Sequence, residues 1–341
     1  MTPTVGGEHS VRADGSAEQR TAALGFGCAS LYGLPARRDR MAVLETAYDA
    51  GIRRFDVAPI YGLGVAESEL ASFLNGRDDI CVTTKFGIRP TRLCRVAGRI
   101  QPPARQVLRR SSGLKAKVKT SGAKRGSGTV GRLLYGAHDY SVGNARRCLT
   151  ASLRTLRTER IDYFFLHEPV GQLGPGISEL ADYLDTEQSR GVIGHWGPAG
   201  DLSQMDGNLT ELSRRASAMQ FPYDLTGGFA GPDPEQQQRP TITFGFIAAT
   251  LPIVRAVLEK DPALRRRCSD LLDADITDQR VVFALLVRDA VRRNPFGVVL
   301  LSSTKTENVR AACAAANVAL RHEDEVAGTI RQACRATEAA R

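Results

Sequence analysis

Eight short apolar runs alternate with longer amphipathic segments from residue 22 onward. The runs are AALGFGCAS, IRRFDVAP, DICVTTKFG, RIDYFFLHEP, VIGHWG, ASAMQFPY, TITFGFI and FGVVLLSS. Several of them are continuously apolar and rich in β-branched or aromatic residues, which is typical of strands covered on both faces. Strands that alternate with helices predict βαβ units and a parallel sheet, and the count of eight favours a closed (β/α)8 TIM barrel over an open sheet.

Helical patterns fill the segments between these runs. ARRDRMAVLETAYDAG is a helix candidate with a stop signal at Gly51, and SVGNARRCLTASLRTLRTER is another. A chain of 341 residues is long for one domain, but α/β barrels commonly reach this length. We therefore expect one barrel domain over residues 21–341, preceded by a disordered polar tail over residues 1–20.

The cysteines and the apolar segments limit the class of protein. Seven cysteines are scattered without a C-x-x-C pair, so the sequence predicts neither a disulfide framework nor a metal site. Unpaired thiols are typical of a reducing compartment. No run has the apolar length needed to cross a bilayer, and the N-terminus lacks the apolar core of a signal peptide. We expect a cytoplasmic protein without a membrane partner, and the oligomeric state stays open.

A basic insertion over residues 88–140 interrupts the pattern after the third run. Thirteen Lys and Arg and no Asp or Glu lie between residues 88 and 138, so the formal net charge of +9 falls to −4 when those 13 charges are left out. The insertion predicts a solvated, partly disordered loop, with a short helix over Ala104–Arg110. The alternative is a lid that binds an anionic substrate or the cofactor phosphates. A second turn-rich loop is expected over residues 222–240.

Four polar side chains stand at the ends of predicted strands. Asp56 ends IRRFD, Tyr61 follows five residues later, Lys85 ends CVTTK, and His167 ends YFFLH. The carboxyl ends of barrel strands share one face, so we expect the four to meet there. An ammonium beside a phenol lowers the pKa of Tyr61 from about 10, and Asp56 would keep the buried Lys85 charged. The set predicts a proton donor, with His167 orienting a carbonyl or relaying the proton.

Each of these residues alone also has a structural interpretation. Asp56 alone is more often a cap, Tyr61 a core aromatic and His167 a structural histidine. The joint pattern favours catalysis, because a lysine at a strand end facing a barrel mouth needs a partner. His195 and Trp196 lie within the fifth run and are expected in the core or in support of the site. The G-x-G triplets that begin at residues 25 and 62 lack the context of a dinucleotide-binding fingerprint, so we reject a Rossmann fold.

The stretch GIRRFDVAPIYGLGVAESELASFL, followed by TTKFG and IDYFFLHEP, closely resembles the aldo-keto reductases. The likeness runs from about residue 24 to residue 315, with the basic insertion outside it. It implies NAD(P)(H)-dependent interconversion of a carbonyl, an aldehyde or ketone, and an alcohol by hydride transfer. It also implies Tyr61 as the general acid or base, Lys85 as the modulator of its pKa, Asp56 as the partner of Lys85, and His167 as the group that orients the carbonyl.

The cofactor end departs from the family pattern. Ala199 and Gly200 stand where the family often has Ser-Asn for the nicotinamide carboxamide, whereas Gln220 matches the family's Gln and Phe244 the aromatic that stacks on the ring. Lys305 stands near the position of an Arg that meets the 2′-phosphate, and it offers a point charge without Arg's planar fork. Ala312 replaces a later Asn. NADP(H) is therefore expected, with NAD(H) as the alternative. The candidate cofactor-binding residues are Gly27, Cys28, Asp56, Gln220, Phe244, Ser302, Ser303, Thr304 and Lys305.

Two alternatives to an enzyme stay open. The altered cofactor positions also fit a redox-silent barrel with a binding or regulatory role. The basic insertion also suggests nucleic acid, but Tyr135 is its nearest aromatic and no others are interleaved with the 13 cations, so only non-specific association is expected. The predicted partner is a small carbonyl or alcohol substrate.

Overall fold

Parallel strands form a closed barrel in the computed structural model, which describes residues 23–88, 137–229 and 239–339. The strands are β1 (Leu24–Gly27), β2 (Arg54–Asp56), β3 (Cys81–Phe86), β4 (Ile161–His167), β5 (Ile193–Ala199), β6 (Met219–Asp224), β7 (Gly228–Phe229), β8 (Thr241–Phe244) and β9 (Val298–Leu301). Their order is β5-β4-β3-β2-β1-β9-β8-β6, and the pairing of Ala199 with Gln220 closes the ring. Each of the eight apolar runs supplies one parallel strand, so the predicted (β/α)8 barrel is confirmed.

Helices cover the outside of the barrel. They are α1 (Arg37–Asp49), α2 (Ala66–Leu74), α3 (Val142–Leu156), α4 (Ile177–Ser189), α5 (Gly207–Arg215), α6 (Thr250–Lys260), α7 (Pro262–Leu272), α8 (Gln279–Arg292), α9 (Thr306–Asn317) and α10 (Glu323–Ala339). Both helical candidates of the sequence are confirmed. Gly51 follows α1 with φ +94°, a left-handed turn that glycine adopts without steric cost. Ser141 caps α3, because its hydroxyl accepts the backbone N–H of Asn144 at 3.2 Å.

Side chains alternate between two buried layers along each strand. In β4, Phe164 is fully buried against the helices and stacks on Phe86 of β3, with ring centroids 4.8 Å apart. Phe165 belongs to a separate buried cluster with Ile242 and Leu300 of the opposite strands. The inward positions continue to the carboxyl ends of the strands, where they become polar. This alternation turns the side chains of Lys85 in β3 and His167 in β4 into the mouth of the barrel.

The loop expected over residues 222–240 begins later than its composition indicates. Strand β6 continues to Asp224 and pairs antiparallel with β7, because the Asp224 carboxylate closes the turn. Its Oδ1 accepts the backbone N–H groups of Thr226 at 2.7 Å and Gly227 at 2.5 Å. Residues 230–238 lie outside the described residues, as do the predicted tail, the helix over Ala104–Arg110 and the rest of the insertion between residues 89 and 136.

No helix among the described ranges has both the length and the apolar character required to cross a membrane.

Candidate active site

An open pocket with a cavity volume of about 230 Å³ lies at the carboxyl ends of the strands. A barrel mouth is the common location for small-molecule sites. The lining residues are Gly27, Ala29, Asp56, Tyr61, Lys85, His167, Glu168, Ala199, Gly200, Gln220, Phe244, Gly245, Leu300 and Ser302. The four polar residues that the sequence placed at strand ends therefore share one cavity.

Lys85 and Asp56 form a buried ion pair at the base of this pocket. Each residue is only 3% exposed. The Lys85 Nζ donates to Asp56 Oδ1 at 2.6 Å and Oδ2 at 2.7 Å, and it also reaches the carbonyl oxygen of Val57 at 3.3 Å. Gln220 of β6 donates from Nε2 to Asp56 Oδ2 at 2.8 Å. The carboxylate is thus held by two donors from opposite sides of the barrel, which satisfies a buried charge that would otherwise be very costly.

The surroundings of Lys85 favour its charged form. Burial alone lowers the pKa of the ammonium, but the negative charge of Asp56, the Tyr61 oxygen and hydrogen bonds to both raise it, and the net shift is upward from 10.5. The Nζ atom lies 5.2 Å from the centroid of the Tyr61 ring. Tyr61 therefore has the Lys85 ammonium as its neighbour.

Tyr61 is positioned by a short 3-10 helix over Tyr61–Leu63. Gly62 has φ +61°, and the ring of Tyr32 packs so closely on it that an added Cβ would lie 2.3 Å from the ring. Arg40 stacks its guanidinium on the outer part of this contact, 5.4 Å from the centroid of the Tyr32 ring. Gly62 thus allows the close packing with Tyr32 that holds the 3-10 helix of Tyr61 against the barrel.

His167 completes the polar group around Tyr61. The two rings meet edge to face, with centroids 5.9 Å apart and an interplanar angle of 86°. His167 is buried at the end of β4. A carbonyl oxygen placed in the pocket beside both rings would meet a phenol hydroxyl and an imidazole nitrogen together.

Tyr140, just before α3, holds the backbone that follows β4. Its hydroxyl donates to the carbonyl oxygen of His167 at 2.5 Å and of Glu168 at 3.1 Å. Burial, with the charge of Glu168, raises the pKa of Tyr140, so the hydroxyl stays protonated and keeps donating. Gly87, with φ +109°, makes room for the tyrosine ring, since an added Cβ would lie 2.1 Å from it. The sequence pattern places residue 140 in the basic insertion and does not indicate this role.

Replacing Gly87 with alanine is expected to lower both stability and turnover. The added methyl group would force the Tyr140 ring away, at a cost of about 1–3 kcal/mol for overpacking in addition to the left-handed backbone strain. The displaced hydroxyl would release His167. Urea unfolding and steady-state turnover measure the two effects. Gly176→Ala is the matched control, because Gly176 has φ +96° and no atom within 4 Å of an added Cβ. Equal losses in the two variants would contradict the role of the Tyr140 contact.

The candidate cofactor residues separate into three groups. Gly27, Asp56, Gln220, Phe244 and Ser302 line the pocket. The side chain of Cys28 is buried, and burial, with the charge of Asp56, raises the pKa of its thiol. The remaining three, Ser303, Thr304 and Lys305, are partly or fully exposed in the segment that leads into α9.

Contacts fix this segment beside the pocket. Ser302 donates to the carbonyl oxygen of Gly27 at 2.9 Å, which joins β9 to β1. The backbone N–H of Lys305 donates to the Ser303 hydroxyl at 3.1 Å. Ala312, in contrast, is fully buried in α9 and belongs to the core. The polar side chains of Ser303, Thr304 and Lys305 therefore lie directly after the pocket-lining Ser302, at the start of α9.

Six residues of the pocket wall were absent from the candidate site residues of the sequence: Ala29, Glu168, Ala199, Gly200, Gly245 and Leu300. Five of them are small or apolar and carry no chemical signal of their own. Glu168, next to His167 in the HEP triplet, had such a signal. Trp196 is fully buried and donates from Nε1 to Asp185 at 2.9 Å, as expected of a core residue. His195 stacks on Tyr163, with centroids 5.0 Å apart, below the pocket.

Comparisons with known proteins show the family of the chain. The sequence model described as "Aldo/keto reductase family" matches residues 23–240. Over 177 residues the chain is 35% identical to a D-threo-aldose 1-dehydrogenase from Pseudomonas sp, and the alignment covers 50% of this chain and 47% of that protein. The chain thus spans about half the length of this curated relative.

Solved structures share the whole barrel. An aldo-keto reductase from Bacillus halodurans, solved in its holo form, superposes with a TM-score of 0.60 at 18% identity, covering 91% of each chain. An aldo-keto reductase from Klebsiella pneumoniae in complex with NADPH gives a TM-score of 0.52 at 16% identity, covering 91% of this chain and 90% of the other. At these identities the likeness establishes the fold.

Proposed function

Since the chain belongs to the aldo/keto reductase family, we propose that it interconverts a carbonyl compound and an alcohol by hydride transfer with a nicotinamide cofactor. The observation that carries this proposal is the buried pair of Lys85 and Asp56 beside Tyr61, whose ring also meets the His167 ring edge to face. A charged lysine held in the protein interior next to a tyrosine hydroxyl is an arrangement for proton transfer at that hydroxyl.

The pocket residues fit a nicotinamide. Gln220 is buried and donates its Nε2 to Asp56, while its Oε1 has no hydrogen-bond partner among the described residues. A buried amide oxygen without a donor is costly, and the carboxamide NH2 of a nicotinamide would satisfy it. Phe244 offers an aromatic face on the same wall. Ala199 and Gly200 add no side-chain donor, so Gln220 carries the amide contact. The NADPH complex of the Klebsiella pneumoniae protein supports NADP(H) as the cofactor of this fold.

When bound, the cofactor supplies or accepts the hydride. The residues of this chain move the proton. Tyr61 donates its hydroxyl proton to the carbonyl oxygen during reduction, and the adjacent Lys85 ammonium stabilises the resulting phenolate. Asp56 keeps Lys85 charged and fixes its position through two short hydrogen bonds. His167 orients the carbonyl oxygen toward Tyr61. In alcohol oxidation the same phenolate accepts the proton, so one arrangement serves both directions.

A substrate screen tests the proposal. Purified protein is incubated with NADPH or NADH and a panel of aldehydes and ketones, and with NADP+ and alcohols, while the absorbance of the reduced cofactor is followed. Turnover of a carbonyl or alcohol is expected. Quenching of intrinsic fluorescence by the cofactor without any turnover would favour the redox-silent barrel, for which the altered residues Ala199 and Gly200 are the supporting observation. Absence of both signals would reject a nicotinamide site.

Lys305 is expected to give a modest preference for NADPH over NADH. The residue is exposed beside Ser303 and Thr304, where a 2′-phosphate would meet one positive charge. Lys305→Ala should weaken NADPH binding by about 1.5 kcal/mol, roughly tenfold, and leave NADH binding unchanged. Fluorescence titration gives the four dissociation constants. Lys260→Ala removes the same charge at the exposed end of α6 and should change neither affinity. Equal NADPH and NADH dissociation constants in the unmutated protein would contradict this assignment.

A further inference from the structure

Glu168 places a carboxylic side chain on the rim of the pocket. It is exposed, and it directly follows His167 in the chain. Consecutive Cα atoms lie about 3.8 Å apart, so this side chain starts one residue away from the proposed carbonyl-orienting group. Nothing in the proposed hydride transfer uses it.

The backbone of Glu168 is held in an uncommon conformation. Its φ is +56°, which is rare for a residue with a side chain. Three contacts enforce it: the N–H donates to the carbonyl oxygen of Ala199 at 2.6 Å, the carbonyl oxygen accepts from Tyr140 at 3.1 Å, and Gly200 packs against the Cα. Gly200 has φ +153°, and an added Cβ would lie 3.1 Å from the Glu168 Cα and 3.5 Å from its Cγ. Backbone strain that the surroundings enforce in this way is concentrated at functional sites.

The carboxylate has no partner among the described residues, where no hydrogen bond or ion pair reaches its oxygen atoms. The other two formally charged residues that line the pocket, Asp56 and Lys85, form the ion pair at its base and cancel each other. Among the pocket-lining residues that the structure describes, the negative charge of Glu168 is therefore the one without a compensating charge. Its two oxygen atoms are acceptors only, since an ionised carboxylate donates no hydrogen bond.

We propose that Glu168 is a specificity-determining residue that selects uncharged, hydroxylated substrates and disfavours anionic ones. Substrate hydroxyl groups near the reacting carbon would donate to its carboxylate, and a substrate carboxylate would be repelled by it. The inference rests on the proposed carbonyl–alcohol chemistry and names its substrate class. It also gives Gly200 a role, because a residue without a Cβ at this position leaves room for the Glu168 side chain.

The charge is tested with Glu168→Gln and two aldehydes of the same shape, 4-carboxybenzaldehyde and 4-carbamoylbenzaldehyde. The unmutated protein should prefer the neutral aldehyde in kcat/KM. The substitution should raise the ratio of anionic to neutral kcat/KM by about tenfold or more, chiefly through KM, because it removes the repulsion and keeps the side-chain shape. Added salt should raise the same ratio in the unmutated protein. Glu211→Gln, an exposed glutamate on α5, is the matched control and should leave the ratio unchanged.

The acceptor role is tested with Glu168→Ala, glyceraldehyde and propanal. Loss of the acceptor should lower kcat/KM for glyceraldehyde relative to propanal by about tenfold or more, because a charge-assisted hydrogen bond is lost. Glu168→Gln keeps one side-chain oxygen acceptor and should retain part of the preference. An unchanged ratio in both variants overturns this role.

The outcomes separate this inference from the proposed function. Turnover with the same anionic-to-neutral ratio in the unmutated protein and Glu168→Gln overturns the inference and leaves the oxidoreductase intact. If neither benzaldehyde is a substrate, both are measured as competitive inhibitors of a carbonyl found in the screen, and the ratio of inhibition constants replaces that of kcat/KM. Absence of turnover with every carbonyl and alcohol overturns the proposed function itself.

Discussion

The Tyr61→Phe variant is expected to turn over carbonyl substrates about 10²–10⁴-fold more slowly than the unmutated protein, the range for loss of a general acid. The phenylalanine ring preserves the packing against His167, whose centroid lies 5.9 Å away, and removes only the hydroxyl. Lys85 and Asp56 keep their ion pair, so the loss should appear in kcat. Cofactor affinity, measured by fluorescence titration, should hardly change.

A second tyrosine gives the control for this substitution. Tyr48 is a partly exposed tyrosine of α1 whose hydroxyl donates to Asp79 at 3.0 Å. Tyr48→Phe removes a hydroxyl far from the pocket, so its turnover should stay within about twofold of the unmutated value, as surface changes of up to about 0.5 kcal/mol imply. If Tyr61→Phe retains full turnover of a genuine substrate, Tyr61 is not the acid and the mechanism proposed here is wrong.

The Asp56→Asn variant is expected to lose about 3–5 kcal/mol of unfolding free energy at neutral pH, the cost of leaving a buried charge without its partner. The asparagine keeps the shape of the side chain, while the Lys85 ammonium loses the carboxylate that offsets its burial. Turnover should also fall, because Lys85 then loses its charge or its position beside Tyr61. Urea denaturation gives the free energy and steady-state assays give the turnover.

The pH dependence of this loss has a definite sign. In the unmutated protein the pKa of Lys85 is raised, so its stabilising contribution is present below the unfolded value near 10.4 and is lost only as pH rises through the folded value. In Asp56→Asn, burial without a counter-charge should lower the pKa of Lys85 below the unfolded value, and stability then rises with pH up to about 10.4. The deficit of the variant should therefore shrink between pH 7 and pH 10.

An exposed ion pair provides the comparison for Asp56→Asn. Asp182 pairs with Arg215 at 2.8 Å, and the two side chains are 70% and 36% exposed. Asp182→Asn should cost less than about 1 kcal/mol, because solvent screens the pair. A similar small loss in Asp56→Asn, independent of pH, would mean that the Lys85 charge does not depend on Asp56.

The sequence predicts the barrel well because the pattern that indicates each strand is local. Each strand is an apolar run of a few residues, and the eight strands of the barrel arise from the eight runs. The convergence of Asp56, Lys85 and His167 follows from the same pattern, since the carboxyl ends of parallel barrel strands share one face. Tyr61 lies in the turn after β2, and the resemblance to the family supplied its expected role.

The rest of the site depends on contacts between distant segments. Tyr140 contacts Gly87, which lies 53 residues earlier in the chain, and the carbonyl oxygen of His167, which lies 27 residues later, and no local pattern indicates either contact. The left-handed backbone of Glu168 depends on Tyr140, Ala199 and Gly200 together, so its position on the rim was not visible in the HEP triplet. The end of β6 was misplaced because Asp224, a typical loop residue, here closes a hairpin.

Transfer of deuterium from the cofactor tests the central claim most directly. The protein is incubated with an aldehyde from the screen and NADPH that carries deuterium at both C4 positions of the nicotinamide, and the alcohol product is analysed by mass spectrometry. Direct hydride transfer in this pocket predicts one deuterium atom on the former carbonyl carbon, formed at the rate of cofactor oxidation and about 10²–10⁴-fold more slowly in Tyr61→Phe. Alcohol without deuterium, or cofactor oxidation without alcohol, would contradict the account.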